Sequence, residues 1–256
     1  MSTLFHDAPA GEAASLTRRI LNQGRYEAAT MLRNGEQLVL MVVMPLLGLV
    51  ALVATPLLDG MGHSRVAIAT PGILALCALS TAFTGQGIAT GFDRRYGVLR
   101  FLSTTPLGKG GLIAGKVIAV LVALALQVVL ISTVAAFLGW RPPVAGVLLG
   151  IPLLILGAAA FTALGLLIAG TVRPEATLAI TNLGWILFAA VGGIVLPAGK
   201  FSSVLADWVQ WLPSGALGNL MRAALIDSRL DLMGLIILLA WAAVASVAAV
   251  KWFKWN

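Results

Sequence analysis

The sequence predicts an all-α integral membrane protein with six transmembrane helices. Hydrophobic residues make up 59% of the 256 residues and charged residues only 11%, which is too few charges to cover a water-soluble surface. The apolar residues form six continuous stretches, each close to or above the roughly 20 residues that cross a bilayer as a helix. A membrane β-barrel would show short segments of alternating polarity instead.

The predicted spans follow one another along the whole chain after a polar start, and we expect them to form a single membrane domain. The second is the least apolar, because it contains Pro71, Thr81, Thr84 and Gln86. Paired prolines make the connection at 139–145 a tight outward turn between the third and fourth spans. The six spans lie near residues 38–58, 70–91, 112–138, 144–170, 177–197 and 232–250.

The basic residues near the span ends predict the orientation, because cytoplasmic loops accumulate Lys and Arg. With the N-terminus inside, twelve of the seventeen basic residues fall on the cytoplasmic side and five on the other. We therefore expect a multi-pass protein of the cell membrane with both termini in the cytoplasm. This topology, with contact to anionic lipid, explains the net charge of +7 without a nucleic-acid partner.

Two segments outside the spans are predicted to lie at the membrane surface. Residues 13–34 form an amphipathic pattern, weakened by Gly24, that predicts a helix on the cytoplasmic face; the alternative is a loosely ordered tail. Residues 198–231 contain two short apolar halves broken at Pro213 and Gly215. We expect a re-entrant helical hairpin before the last span, and the alternative is an outer loop with two surface helices.

The spans lack the chemistry of a self-powered carrier or an enzyme. An ion-coupled carrier keeps ionisable residues within its spans, whereas here only Lys116 comes close, about one turn into the third span. We expect Lys116 to snorkel to the cytoplasmic surface. No catalytic triad, carboxylate pair or metal-ligand cluster is recognisable in the sequence, so neither catalytic residues nor a bound cofactor or metal are predicted.

One motif resembles a nucleotide-binding loop. Residues 110–116 fit the pattern G-x4-G-K, but Val117 stands where Ser or Thr would hold magnesium, and no strand precedes it. We therefore do not expect nucleotide binding here. The glycines are predicted to let the chain turn into the third span.

A polar and basic island at 91–116 separates the second and third spans. Asp93 predicts a helix start, and Pro106 lies beyond the helix end near 103. This short helix carries both apolar and basic side chains, so it suits either a groove on a soluble protein or the lipid headgroups. Its candidate contact residues are Asp93, Arg94, Arg95, Val98, Leu99, Arg100, Phe101 and Leu102.

Three short motifs in this island carry a family resemblance. Gly97-Val98-Leu99, then Thr104-Thr105-Pro106-Leu107, then Gly115-Lys116 resemble the loop after the second span in type-2 ABC export permeases of the drug- or lipid-export type. The likeness extends to the amphipathic helix before the first span, the six spans and the long outer segment with Leu212-Pro213. Relatives often place Glu at the position of Asp93.

The resemblance implies a coupling helix at about 93–103 that fits a cleft on a cytoplasmic ATPase. In that family two permeases and two ATPase subunits form the exporter. It therefore implies two ATPase partners, which bind ATP and magnesium, and a second permease, either another copy of this chain or a sister protein. This chain itself is not expected to be an enzyme.

The resemblance also implies that the second and fifth spans meet at the permease dimer interface. Each carries a stripe of small or weakly polar residues at helical spacing, which can line a conduit or simply pack two helices together. Such an uncharged lining suits a hydrophobic or amphipathic cargo such as a drug, lipid or glycolipid. The candidate lining residues are Ser80, Thr84, Gly87, Thr177, Thr181, Gly184 and Phe188.

The sequence thus favours the permease subunit of an ATP-driven exporter. The alternative is a non-transporting membrane subunit for assembly or sensing that is coupled to an ATPase. A large outer domain would favour the alternative, but only the short segment after Pro197 is present.

Overall fold

The computed structural model describes residues 14–200 and 202–253, and all regular structure within them is helical. The first residue of the predicted helix at 13–34, Ala13, lies outside the described residues. The helices of the described part are α1 (Leu16–Arg33), α2 (Gly35–Leu38), α3 (Met44–Ala54), α4 (Arg65–Ala78), α5 (Gln86–Arg95), α6 (Val98–Ser103), α7 (Gly108–Phe137), α8 (Val144–Thr171), α9 (Pro174–Ala190), α10 (Ser203–Val209), α11 (Pro213–Asp227) and α12 (Leu232–Trp252).

Within residues 14–200 and 202–253, four helices are long and apolar enough to cross a membrane, which confirms an all-α membrane protein. They are Arg65–Arg95, in which α4 and α5 are continuous, Gly110–Phe137 within α7, Val144–Thr171 and Leu232–Trp252. They correspond to the second, third, fourth and sixth predicted spans. The total of six stays a prediction.

The first and fifth predicted spans need correcting at their ends. The first apolar helix stops at Ala54 rather than 58, because Thr55 precedes Pro56 and is extended, with φ −99° and ψ 154°. The fifth helix is α9, with 17 residues, or about 25 Å at 1.5 Å per residue. The chain beyond Ala190 is irregular up to the short turn Ala198–Lys200.

The irregular stretch after α9 is held by polar side chains of α11. The Arg222 guanidinium donates to the carbonyls of Gly193 (2.7 Å) and Ile194 (3.1 Å). The Ser214 hydroxyl donates to the carbonyl of Gly192 at 2.8 Å. Burial lowers the pKa of Arg222 to about 10, so the side chain stays charged at neutral pH and these carbonyls provide its acceptors.

The two helices of the segment at 198–231, α10 and α11, differ in how deeply they are buried. Helix α10 leaves Trp208 exposed, whereas α11 is buried almost along its whole length against α4, α8 and α12. The segment was expected to break at Pro213 and Gly215. In the structure Pro213 begins α11 and Gly215 lies inside this helix. Proline suits the first helical position, where no backbone donor is needed. A re-entrant placement of this segment stays a prediction.

The helix from Arg65 to Arg95 forms the centre of the bundle. Of its most apolar 18 residues, 89% are buried in the protein, against 28% to 44% in the other three long helices. Its polar residues therefore face protein rather than lipid. This position explains why the second span is the least apolar of the six.

Two π-helical stretches, Val39–Val43 and Leu79–Gly85, meet one buried amide of α7. The Gln127 side chain donates to the carbonyl of Met41 at 2.7 Å and accepts from the Thr81 hydroxyl at 2.8 Å. Widened π turns leave backbone groups free for such contacts and occur often at functional sites. Gln127 was not predicted from the sequence to have a role, although it is the only amide side chain in α7.

Candidate coupling surface

The predicted helix at 93–103 is two helices in the structure. Helix α5 continues through Asp93 and ends at Arg95, and α6 begins at Val98. Gly97 between them has a φ of 73°, a left-handed conformation that commonly ends helices. Asp93 therefore does not cap the start of α6, which corrects the predicted helix start.

The break at Gly97 sets which side chains of α6 face outward. Leu99 is fully buried and anchors α6 to the protein, while Val98 and Phe101 are exposed, the latter by 71%. Leu99 was predicted to contact a partner, and its burial within the chain corrects that assignment. Arg100 is also exposed, and Leu102 is half-buried.

Two aromatic residues just before α6 extend this exposed surface. Phe92 and Tyr96 stack with ring centroids 6.1 Å apart, and Tyr96 is 72% exposed. We call Phe92, Tyr96, Val98 and Phe101 the coupling patch. Neither aromatic residue was predicted from the sequence to be part of this surface, although their spacing of four residues places them on one helix face.

Arg94 and Arg95 are adjacent in sequence but contact different parts of the protein. Arg94 donates to the carbonyls of Ala169 (3.1 Å) and Val172 (2.8 Å), at the end of α8. Arg95 lies 4.0 Å from Glu175, and both side chains are more than half exposed. Arg94 thus holds the end of a neighbouring helix, whereas Arg95 belongs to the surface.

We expect Arg94→Ala to lower the melting temperature of the detergent-solubilised protein and Arg95→Ala to leave it unchanged. Loss of a hydrogen bond from a charged donor costs about 1.5–3 kcal/mol, whereas an exposed ion pair contributes about 0–1 kcal/mol. Thermal unfolding of both variants checks this. Equal melting temperatures would contradict the assignment of Arg94 to the end of α8.

Lys116 is buried rather than exposed to the cytoplasm, which corrects the expected snorkelling. Its side chain is 1% exposed, and its Nζ lies 2.8 Å from Oδ2 of Asp93 and 3.1 Å from Oε1 of Glu27. Gln23 donates to the same Glu27 oxygen at 3.0 Å. We call Lys116, Asp93 and Glu27 the ion triad. Two carboxylates from other helices hold the ammonium inside the protein.

Helix α1 packs closely along the first part of α7. A Cβ placed on Gly24 would lie 2.7 Å from Cγ2 of Ile118, and one on Gly115 would lie 2.6 Å from Cγ of Gln23. Gly24 therefore allows a close helix crossing, where the sequence indicated only a weakened helix. Gly115 lies inside α7, so the G-x4-G-K motif is helical here and serves this contact.

The predicted conduit residues are brought together between the central helix and α9. A Cβ on Gly87 would lie 2.8 Å from Cγ2 of Thr181, and Trp185 donates to the Ser80 hydroxyl at 2.7 Å. The ring of Phe188 lies 5.7 Å from that of Phe83, beside Gly184.

Most of the hydroxyl groups at this interface already form hydrogen bonds inside the protein. Thr177 and Thr181 are buried and donate to carbonyls of their own helix. The Thr84 hydroxyl is buried with no hydrogen-bond partner among the described residues. In this arrangement the two stripes pack against each other, and they line a passage only if α9 separates from the central helix.

Comparison with known proteins agrees with this helical membrane fold. The family model of the ABC-2 type transporter matches residues 23–225, from within α1 to within α11. No curated protein matches the chain. Because the family model covers most of the chain, this protein belongs to the ABC-2 type transporter family, as a multi-pass membrane permease.

Proposed function

We propose that the chain is the permease subunit of an ATP-driven exporter that moves a hydrophobic or amphipathic molecule out of the cytoplasm or the inner leaflet. A separate ATPase hydrolyses the ATP and binds its magnesium. Membership of the ABC-2 type transporter family supports a transport role. The cargo class follows from the uncharged residues between the central helix and α9.

The observation that carries the proposal is the coupling patch. Four large apolar side chains are exposed within the most basic connection of the chain, directly beside the buried anchor Leu99. Exposed apolar clusters of this kind mark interaction sites, and a short anchored helix suits a groove on a soluble partner. Arg95 and Arg100 supply exposed charge beside the apolar side chains.

The proposed assembly contains two cytoplasmic ATPase subunits and two permeases, either two copies of this chain or one copy with a sister protein. Each permease crosses the cell membrane six times, with both termini in the cytoplasm. Under this topology the coupling patch and α1 lie on the cytoplasmic side, and α10 and α11 lie on the opposite side.

Transport is favoured over a purely structural or sensory role by the form of the outer segment. Helix α11 packs into the bundle, so α10 is the main part of this segment that remains exposed. A subunit that senses or assembles outer machinery would need a larger surface there.

We expect Phe101→Asp to prevent recovery of the ATPase when the chain is purified gently from its native membrane. A carboxylate at this position would replace the most exposed apolar side chain of α6 and would have to be desolvated in the groove. Mass spectrometry and an ATP hydrolysis assay of the purified material provide the measurement.

The matched control is Phe137→Asp, since Phe137 is 85% exposed at the opposite end of α7. This control should recover as much ATPase as the natural protein. Recovery of the natural protein without any ATP-hydrolysing partner would contradict the proposed function. Equal recovery of the ATPase with Phe101→Asp and Phe137→Asp would contradict the role of the coupling patch in binding the ATPase.

A further inference from the structure

Three helices meet at the ion triad. Glu27 belongs to α1, Asp93 to α5 and Lys116 to α7. The chain between Asp93 and Lys116 contains α6 and the whole coupling patch except Phe92. The 2.8 Å bond between these two side chains therefore closes the base of this loop.

A second contact ties α1 to the same loop. The Arg19 guanidinium donates to the carbonyl of Pro106 at 2.8 Å, beyond the end of α6. Helix α1 thus contacts the loop itself through Arg19, and it contacts the base of the loop through Glu27. The close crossing at Gly24 lies between these two contacts along α1.

Stability alone does not account for this arrangement. Buried ion clusters are costly to desolvate, and well-packed apolar residues often serve stability as well or better. Here one ammonium faces two carboxylates, so the triad also carries an excess negative charge. What the ions supply is a directional link between helices that are distant in sequence.

We propose that Lys116 is a positioning residue that locks α1, α7 and the base of the loop between Asp93 and Lys116 into one body. A displacement of α6 would then move α7 and α1 with it. Without the ion triad, the loop would bend at its base and both helices would stay in place. The inference rests on the proposed function only in that an ATPase is the partner that displaces α6.

The first experiment needs no ATPase, so it can fail independently of the proposed function. Spin labels on Tyr26→Cys in α1 and Thr104→Cys after α6 would report the distance between the two elements, since both sites are exposed. Cys77, the only natural cysteine, is fully buried and should not be labelled. The natural triad should give one narrow distance distribution in the full-length protein.

Asp93→Ala and Glu27→Ala each leave Lys116 with one carboxylate, so both should stay folded. We expect each to broaden the distance distribution. The matched control is Glu175→Ala, which removes a carboxylate from the exposed pair with Arg95 and should leave the distribution narrow. The melting temperatures of Asp93→Ala and Glu27→Ala should fall only in part, because the buried ammonium keeps one carboxylate partner, and that of Glu175→Ala should remain close to that of the natural protein.

In the complete complex, Glu27→Ala should still hydrolyse ATP but move less cargo per ATP, by on the order of tenfold, within the usual range of coupling between sites. A folded Asp93→Ala variant with an unchanged distance distribution would overturn the inference. Loss of folding in both single variants would overturn it too, because the triad would then be a stability element.

Discussion

Replacing Gly24 with leucine is expected to detach α1 from α7 and to lower the free energy of unfolding by about 3–5 kcal/mol. Even a Cβ at this position would lie 2.7 Å from Ile118 Cγ2 and 3.3 Å from the Gly115 carbonyl oxygen. The larger side chain would force the helices apart and would pull Glu27 away from the buried ammonium of Lys116. The penalty therefore combines overpacking with a broken ion pair.

Thermal unfolding and limited trypsin digestion would both report this change. A detached α1 should be cleaved faster after Arg25, which is exposed. The matched control is Gly35→Leu, because a Cβ on Gly35 would meet nothing within 4 Å. If the two variants unfold at the same temperature and are digested at the same rate, the close crossing is not a structural requirement.

Replacing Gln127 with leucine is expected to lower the free energy of unfolding by about 2 kcal/mol. The change would remove both hydrogen bonds of the buried amide, leaving the Thr81 hydroxyl and the Met41 carbonyl in an apolar environment. An unsatisfied buried group costs about 1–3 kcal/mol, although hydrogen bonds between membrane helices average nearer 0.6 kcal/mol.

The control for Gln127 is Thr133→Val, another polar residue of α7. The Thr133 hydroxyl donates to Val129 of its own helix, and the side chain is exposed, so this change should cost little. The double variant Thr81→Val with Gln127→Leu should lose less than the sum of the single variants, because they share one hydrogen bond. Strict additivity would contradict the shared bond.

The long apolar helices could be predicted from the sequence because hydropathy over about 20 residues directly measures the cost of placing a helix in lipid. The ends were less predictable, since they depend on single residues. Thr55 before Pro56 ended the first helix early, and the carbonyls after Ala190 left regular structure because Arg222 and Ser214 of a distant helix supply their donors.

The contacts of polar residues inside the bundle were hardest to predict. Lys116 was expected to snorkel because its local sequence places it near the membrane surface. Its two carboxylates come from positions 27 and 93, and no local pattern connects three such positions. Gln127 was missed for the same reason, since its partners Met41 and Thr81 belong to other helices.

The docking role of the residues at 93–102 stays a prediction. Val98 and Phe101 are exposed, but the left-handed conformation of Gly97 separates α5 from α6 and turns Leu99 inward. Phe92 and Tyr96 were overlooked because they continue the helix of the second span. Which side of a six-residue helix faces solvent depends on how it is anchored, and that is a tertiary property.

The central claim, that the coupling patch docks on a cytoplasmic ATPase, is tested most directly by photocrosslinking. A photoreactive phenylalanine analogue at position 101 should, on illumination of native membranes, join this chain to a nucleotide-hydrolysing cytoplasmic protein. The same analogue at position 137, which is even more exposed but lies at the far end of α7, should not. Adducts to lipid alone at position 101, or the same protein adduct at both positions, would contradict the account.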